Sequence, residues 1–271
     1  MSWRSKSAGL ALTVSLLLPV WFMVSALGVK FGLWSWQFGL GVLIVEWGPR
    51  LLIATAVIAL VTLVALLARK PRRGWPVALI ALIIPALGLG SLGWIKAQSD
   101  GIPPIHDIST DIVDPPVPSA PLLALRTADE ANPVLDMTAP LTAAEAYRGE
   151  SFARFGDKSL GRIGQEAYPA LRTVDLAVPP AAAFAAARDA ARGMGWTIVT
   201  EDEVSGTLEA TAETFWFGFR DDVVIRVRPS SGGRGTRIDV RSISRVGMSD
   251  LGANAKRIEA YLARVSVALE A

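Results

Sequence analysis

The residues best suited to chemistry gather in two short stretches. Ile105–Asp114 contains His106, the one histidine of the chain, together with Asp107, Asp111 and Asp114. An imidazole among carboxylates has the makings of a general base, and the carboxylates alone of an oxygen-rich cation site. One histidine with several acids is nevertheless a weak catalytic signal. Polar side chains on an extended arm more commonly hydrogen-bond to the domain and fix the path of the arm, and we prefer that reading. In the second stretch, Arg241, Ser242, Ser244 and Arg245 precede Ser249-Asp250, where the pattern predicts the start of a helix capped by Ser249. A helix N-terminus beside two arginines suits an anion. The same residues also make a closed arrangement in which Asp250 supports the helix dipole, pairs with Arg245 and repels an anion, and this is preferred. A third group, Arg220-Asp221-Asp222, follows an aromatic run and reads as a turn with a local ion pair rather than a paired-carboxylate cation site. The candidate catalytic residues are thus His106, Asp107 and Asp111. The candidate binding residues are Arg241, Ser242, Arg245, Ser249, Asp250, Arg220 and Asp222. No metal site and no cofactor is expected.

Absences narrow the chemistry. The chain has no cysteine, which excludes disulfides, thiolate metal sites and cysteine nucleophiles, and a single histidine excludes the common His-pair metal sites. H-E-x-x-H, G-x-S-x-G and Walker motifs are missing. Gly88-Leu89-Gly90-Ser91-Leu92-Gly93 has dinucleotide-loop spacing. It lies inside an apolar run, however, with no preceding strand, where small residues that let helices pack closely explain it better.

The elements that must position these residues fall into two parts. Residues 1–96 carry nine Lys/Arg and one acid, Glu46, a net charge of +8, whereas residues 97–271 are acidic, at −6. The overall basicity therefore flanks apolar spans and does not indicate nucleic acid as a partner. Three uncharged runs, about 7–29, 51–68 and 74–95, are long enough to cross a bilayer, with Trp47, Trp75 and Trp94 at their ends. Pro19 and Pro85 inside spans are tolerated where neighbouring helices satisfy the freed backbone. Residues 31–45 are apolar and aromatic, and form either an interfacial or re-entrant segment or an early start to a long, tilted second span. Arg4 and Lys6, with Arg69, Lys70, Arg72 and Arg73 between spans two and three, place those segments in the cytoplasm by the positive-inside rule. The C-terminal part is then expected on the periplasmic side of the inner (plasma) membrane of a multi-pass protein. Val24-Ser25-Ala26 offers a small-residue cleavage site, but the first uncharged run is longer than an ordinary signal core, so an uncleaved span is preferred.

Residues 97–167 read as a proline-rich arm or linker, with eight of the seventeen prolines between 101 and 140, a density that argues against regular helix there. Residues 168–271 read as a soluble α+β domain. Alternation predicts strands over 171–178, 196–200, 207–217, 223–228 and 236–243, and an Ala-rich helix over 181–194. A final helix after Ser249 has Leu251, Ala255, Ile258, Leu262 and Val265 on one face. The order β-α-β-β-β-β-α predicts an antiparallel sheet with two helices on one face. Period two turns Val223, Ile225, Val227, Ile238 and Val240 inward. The outer face then carries Arg226, Arg228, Arg237, Asp239 and Arg241, read as a solvated stripe that pairs with Glu209 and Glu213.

Two motifs add a resemblance. One is Pro104-Ile105-His106-Asp107-Ile108-Ser109-Thr110-Asp111 with Asp114-Pro115-Pro116. The other is Trp216-Phe217-Gly218-Phe219-Arg220-Asp221-Asp222-Val223-Val224 with Asp239-Val240-Arg241-Ser242 and Ser244–Ala255. Over roughly 103–265 the chain resembles the bacterial and plastid family known as domain of unknown function 1499. The resemblance implies a module of the cell envelope or membrane and brings no reaction with it. The expectation is a membrane-anchored envelope protein, most simply a binding or scaffold module. Its partners would be the lipid bilayer and an envelope protein or lipid. The alternative is an extracytoplasmic hydrolase-like enzyme using His106 and nearby acids. A transport role has only Glu46 and Arg50 near the membrane to support it.

Overall fold

A computed structural model describes residues 3–68, 70–233 and 235–270; Arg69, one of the basic residues used for orientation, lies outside them. The chain divides into two compact units. One comprises Met1–Gly101 with Phe215–Gly218, the other Ile102–Thr214 with Phe219–Ala271.

The first unit is built on helices α1 (Trp3–Lys30), α2 (Trp47–Ala68) and α3 (Trp75–Ser99). A wide, π-type turn pattern over Gln37–Glu46 runs straight into α2. Residues 37–68 therefore form one long apolar helical segment, the early-start alternative for the second span. All three segments are long and apolar enough to cross a membrane. The contacts between them are made by small residues, among them Ala8, Ala11, Ala59, Ala78 and Ala81, which are almost fully buried and let the backbones approach. Gly88 belongs to this packing, since a Cβ there would lie 2.6 Å from Leu52 Cδ2 of α2. The glycine-rich run is thus part of α3 and its helix seam. Pro85 removes the hydrogen bond that the Ala81 carbonyl would accept. Ser15 Oγ of α1 donates to that carbonyl at 2.6 Å, so a neighbouring span satisfies what the proline frees.

The second unit is an open antiparallel sheet of six strands, β1 (Asp107–Ser109), β2 (Val174–Leu176), β3 (Thr197–Asp202), β4 (Thr207–Glu213), β5 (Arg220–Pro229) and β6 (Thr236–Ser244). The order is β1-β6-β5-β4-β3, and β2 shares the free edge of β6 with β1. The long strands turn their side chains as the alternation predicts, although β4 ends at Glu213, short of the expected 217. Leu208, Ala210, Val223, Ile225, Val227, Ile238 and Val240 enter one core with Ala183, Phe184 and Ala187 of α6 (Pro180–Gly193) and Ile258 and Tyr261 of α7 (Ala253–Glu270). Each Val, Leu, Ile or Phe side chain among them, fully buried, contributes about 1.5–3 kcal/mol. Tyr261 keeps its hydroxyl satisfied by donating to the Ala187 carbonyl at 3.0 Å.

Two expectations are corrected. The proline-rich segment does contain a regular helix, α4 (Ala120–Ala128), because Pro121 falls in its first turn, where the missing N–H costs nothing. A second helix, α5 (Leu160–Ala167), follows, capped by Ser159 accepting from the Arg162 amide. The Arg/Asp face of the sheet is not solvated either. Glu209, Asp222, Asp239 and Arg241 are at most 3% exposed. The segment from Thr110 to Leu135, α4 included, lies over them, as its bonds to Glu209, Asp222 and Arg241 establish.

Candidate functional site

Two-residue diagonal neighbours on antiparallel strands lie within reach of long side chains. The register pairs Asp107 with Ile243 and Ser109 with Arg241, so Asp107 and Arg241 are such a diagonal. Arg241 Nε donates to Asp107 Oδ1 at 2.9 Å and Nη2 to Oδ2 at 2.7 Å, a two-pronged pair that is almost fully buried. The remaining donors of Arg241 reach the carbonyls of Leu135 (2.6 Å) and Pro116 (3.3 Å), which ties the covering segment to β6. Asp222 pairs across with Ile243, and Arg245, two residues beyond, donates to both of its oxygens (Nε–Oδ2 2.9 Å, Nη2–Oδ1 2.6 Å). Arg126 of α4 brings a second guanidinium to Asp222 at 2.6 Å, and Thr211 a hydroxyl at 2.8 Å. Arg245 also pairs with Asp129, which Arg220 reaches at 2.8 Å from the more exposed side.

His106 is buried beside this network but does not join it. Its Nδ1 lies 2.6 Å from the Tyr147 hydroxyl, which donates in turn to the Met248 carbonyl at 3.0 Å. Its Nε2 has no hydrogen-bond partner among the described residues. The His106 carbonyl accepts from the Ser244 amide (2.9 Å) and from Asn254 Nδ2 (3.0 Å). Asn254 holds a further cluster on the α7 side. Ser242 Oγ donates to its Oδ1 at 2.7 Å, and Arg257 bonds to Ser242, Asn254 and Asp221.

The sequence candidates therefore separate. Asp107 and Arg241 meet each other. Arg245 and Asp222 meet elsewhere on the same face; the Arg220 guanidinium reaches them through Asp129, and the Arg220 carbonyl accepts from the Arg245 amide at 3.0 Å. Asp111 forms a local turn, its Oδ1 accepting from the amides of Val113 and Asp114 at 3.0 Å each, with Arg226 and Arg228 at 3.7 and 3.8 Å. Three readings change. Arg220-Asp221-Asp222 opens β5 and is not a turn, because the turn is taken by the preceding Phe215–Gly218. Ser249 does not cap α7. Its hydroxyl accepts from the Leu251 amide at 3.3 Å, while the Asp250 carboxylate accepts from the amides of Gly252 and Asn254 at 2.8 Å each. Asp250 thus fills the place an anion would take, and Arg245 pairs with Asp222 and Asp129 instead of Asp250. Glu209 is not a partner of the arginines, because it accepts from both the amide and the hydroxyl of Ser119 at the start of α4. No cluster of three His, Asp or Glu arranged to hold a metal ion occurs among the described residues.

The sequence matches the family model described as a protein of unknown function (DUF1499) over residues 107–265. The chain belongs to the DUF1499 family. A search of curated proteins returns no match. The matched region of the DUF1499 domain begins at Asp107 and takes in both arginine–carboxylate centres as well as Tyr147, Asn254 and Arg257. Those last three, with Arg126 and Asp129, are the network members that sequence reasoning missed. The available signal was weak: an arginine and an aspartate at the end of a nine-residue amphipathic helix.

The electrostatics of the DUF1499 domain follow from this enclosure. Burial lowers the His106 pKa below the ordinary imidazole value. Asp107 opposes the shift, and Arg126 adds to it. Burial raises the Asp250 carboxyl above its usual range, against the two amides that stabilise its charged form. Tyr147 is pushed up by burial and by Asp107 and Asp250, which makes it a poor proton source. Tyr168, held up to about 12 chiefly by burial, is no better. A neutral imidazole facing an un-ionised phenol, with its nearest carboxylate committed to a guanidinium, is arranged to stay put rather than to shuttle protons.

Proposed function

We propose that this chain is a membrane-anchored, non-enzymatic binding or scaffold module. Its DUF1499 domain would be held on the periplasmic side of the inner membrane, and its ligand would be an envelope lipid or partner protein. One observation carries the reading. The acids beside His106 are consumed, Asp107 by Arg241 in a buried two-pronged pair and Asp111 by a local turn, so among the described residues no carboxylate bonds to the imidazole to orient it. The hydrolase-like alternative required that partnership. The periplasmic placement rests on the Lys/Arg bias of the N-terminal part and on three spans, an odd number of crossings.

The test is complementation. In a strain lacking the gene, the full chain carrying His106→Gln is expected to restore whatever envelope phenotype the wild type restores. A His106→Gln protein that accumulates and folds normally yet fails to complement would overturn the reading. A phosphatase fused after Ala271 is expected to be active, as it folds only outside the cytoplasm; an inactive fusion would remove the periplasmic placement.

A further inference from the structure

The helical unit contains an open groove of about 550 Å³. Pro19, Phe22, Met23 and Ala26 form one wall from α1, and Ile44 of the π-type stretch forms another. The remaining wall, Trp216 and Phe217, comes from the four-residue turn that groups with the helices. This turn is fastened in place: Lys30 Nζ donates to the Phe215 carbonyl at 2.9 Å and lies 5.4 Å from the centre of the Phe215 ring. Trp21 donates to the Leu43 carbonyl at 3.0 Å, bracing the two helical walls.

Three features select the occupant. The groove is cut into segments long and apolar enough to span a bilayer, so hydrocarbon rather than water is what meets it. Its lining is carbon almost throughout, with nothing to hold a charged or hydrogen-bonding ligand. Its size also excludes a partner helix. A single turn of helix, 10–12 Å across and 5.4 Å long, already occupies roughly 400–600 Å³, whereas a helix–helix seam runs over several turns. A flexible chain of methylenes fits, and 550 Å³ falls within the usual size of ligand sites, about 300–1,000 Å³. We infer that this groove holds one acyl chain of a bilayer phospholipid, with Trp216 closing over it. The inference rests on the reading of the chain as a membrane-anchored binding module and names a ligand for it.

The full chain in vesicles of phosphatidylethanolamine and phosphatidylglycerol, doped with a trace of phosphatidylethanolamine carrying a mid-chain diazirine, tests this by irradiation and peptide mapping. Label is expected on the peptides of Met23 and Trp216 at about 5-fold or more over the lipid-exposed α2 face at Val57, Val61 and Val64, since a fivefold preference needs only about 1 kcal/mol. Met23→Trp narrows the groove from an exposed position and is expected to lower labelling at Trp216 towards that of the α2 face, leaving α2 unchanged. Equal labelling of groove and α2 face in the wild type overturns the inference, even if Met23→Trp does not fold. So does a folded Met23→Trp protein whose groove labels as before. Uniform labelling leaves complementation by His106→Gln untouched, whereas a His106-dependent activity would overturn the non-enzymatic reading and leave the labelling ratio intact.

Discussion

Asp107→Asn removes one charge from a pair that is almost wholly out of water while leaving shape and volume unchanged. Arg241 keeps its bonds to the carbonyls of Leu135 and Pro116 but faces an amide in place of a carboxylate. Leaving one member of a buried pair uncompensated costs about 3–5 kcal/mol. In a domain of this size each kcal/mol moves Tm by about 2–4 °C, so a fall of about 6–20 °C is expected. The double variant Asp107→Leu/Arg241→Met removes both charges at once. It still strands the Leu135 and Pro116 carbonyls and the Leu135 amide, at about 1–3 kcal/mol for each one left without a partner, so it does not return to wild-type stability. It is expected to lose less than the two single variants together, by up to about 3 kcal/mol. Thermal unfolding of the full chain in detergent, followed by near-ultraviolet dichroism, gives the shifts. Amide exchange in residues 236–244, with α2 peptides as the internal reference, locates them. A shift under about 2 °C for Asp107→Asn, with unchanged exchange in β6, would mean that water reaches the pair and would refute the argument.

Two further outcomes follow from the same enclosure. Because His106 has a lowered pKa when folded, the unfolded chain binds the extra proton first as pH falls. The stability is complete above about pH 6.5 and is lost as pH drops below it towards the folded value. Asp250, raised on folding, acts in the opposite sense. Tm measured from pH 7.5 to 5 is therefore expected to fall, and His106→Gln to flatten that slope; an identical slope in the variant would place the effect elsewhere. Gly206→Ala is expected to cost about 1–3 kcal/mol, because its φ is +71° and a Cβ would lie 2.0 Å from the Val227 carbonyl oxygen. Gly195→Ala, with a φ of +75° but open space, should cost less, and equal losses on denaturant unfolding would show that the close approach does not matter.

The membrane segments and the long strands were legible because both are repetitive signals. An uncharged run of sufficient length is unambiguous, and Ile225 and Val227 alternate with Arg226 and Arg228. The outer face of the sheet was not legible for a different reason. Alternation states which side chains share a face. It does not state what covers that face. Arg241 and Asp239 looked solvated because alternation turns them away from the apolar face, yet the cover is supplied by Thr110–Leu135, more than a hundred residues away along the chain. The start of α7 failed on a smaller scale. Ser249 and Asp250 are both good capping residues, and only the turn through Leu251 and Gly252 decides that the carboxylate reaches the Gly252 and Asn254 amides.

The buried pairs then need a physical reason, since apolar residues of equal volume would cost less to desolvate. The strand they serve supplies one. β1 is three residues long, and its neighbours on both sides are irregular, so backbone pairing alone defines its register weakly. A slip of two residues along β6 would preserve which face each side chain takes. It would also carry the Asp107 carboxylate away from Arg241, breaking a two-pronged geometry that tolerates little displacement. The Asp107–Arg241 pair and the Asp222 centre thus act as registration marks that fix where the covering segment lies. If so, Asp107→Leu/Arg241→Met should keep the amides of β4 and β5 protected while those of 107–110 and 134–136 exchange faster. Uniform loss of protection across the whole sheet would mean that the pair supports the fold at large and not the seating of its cover.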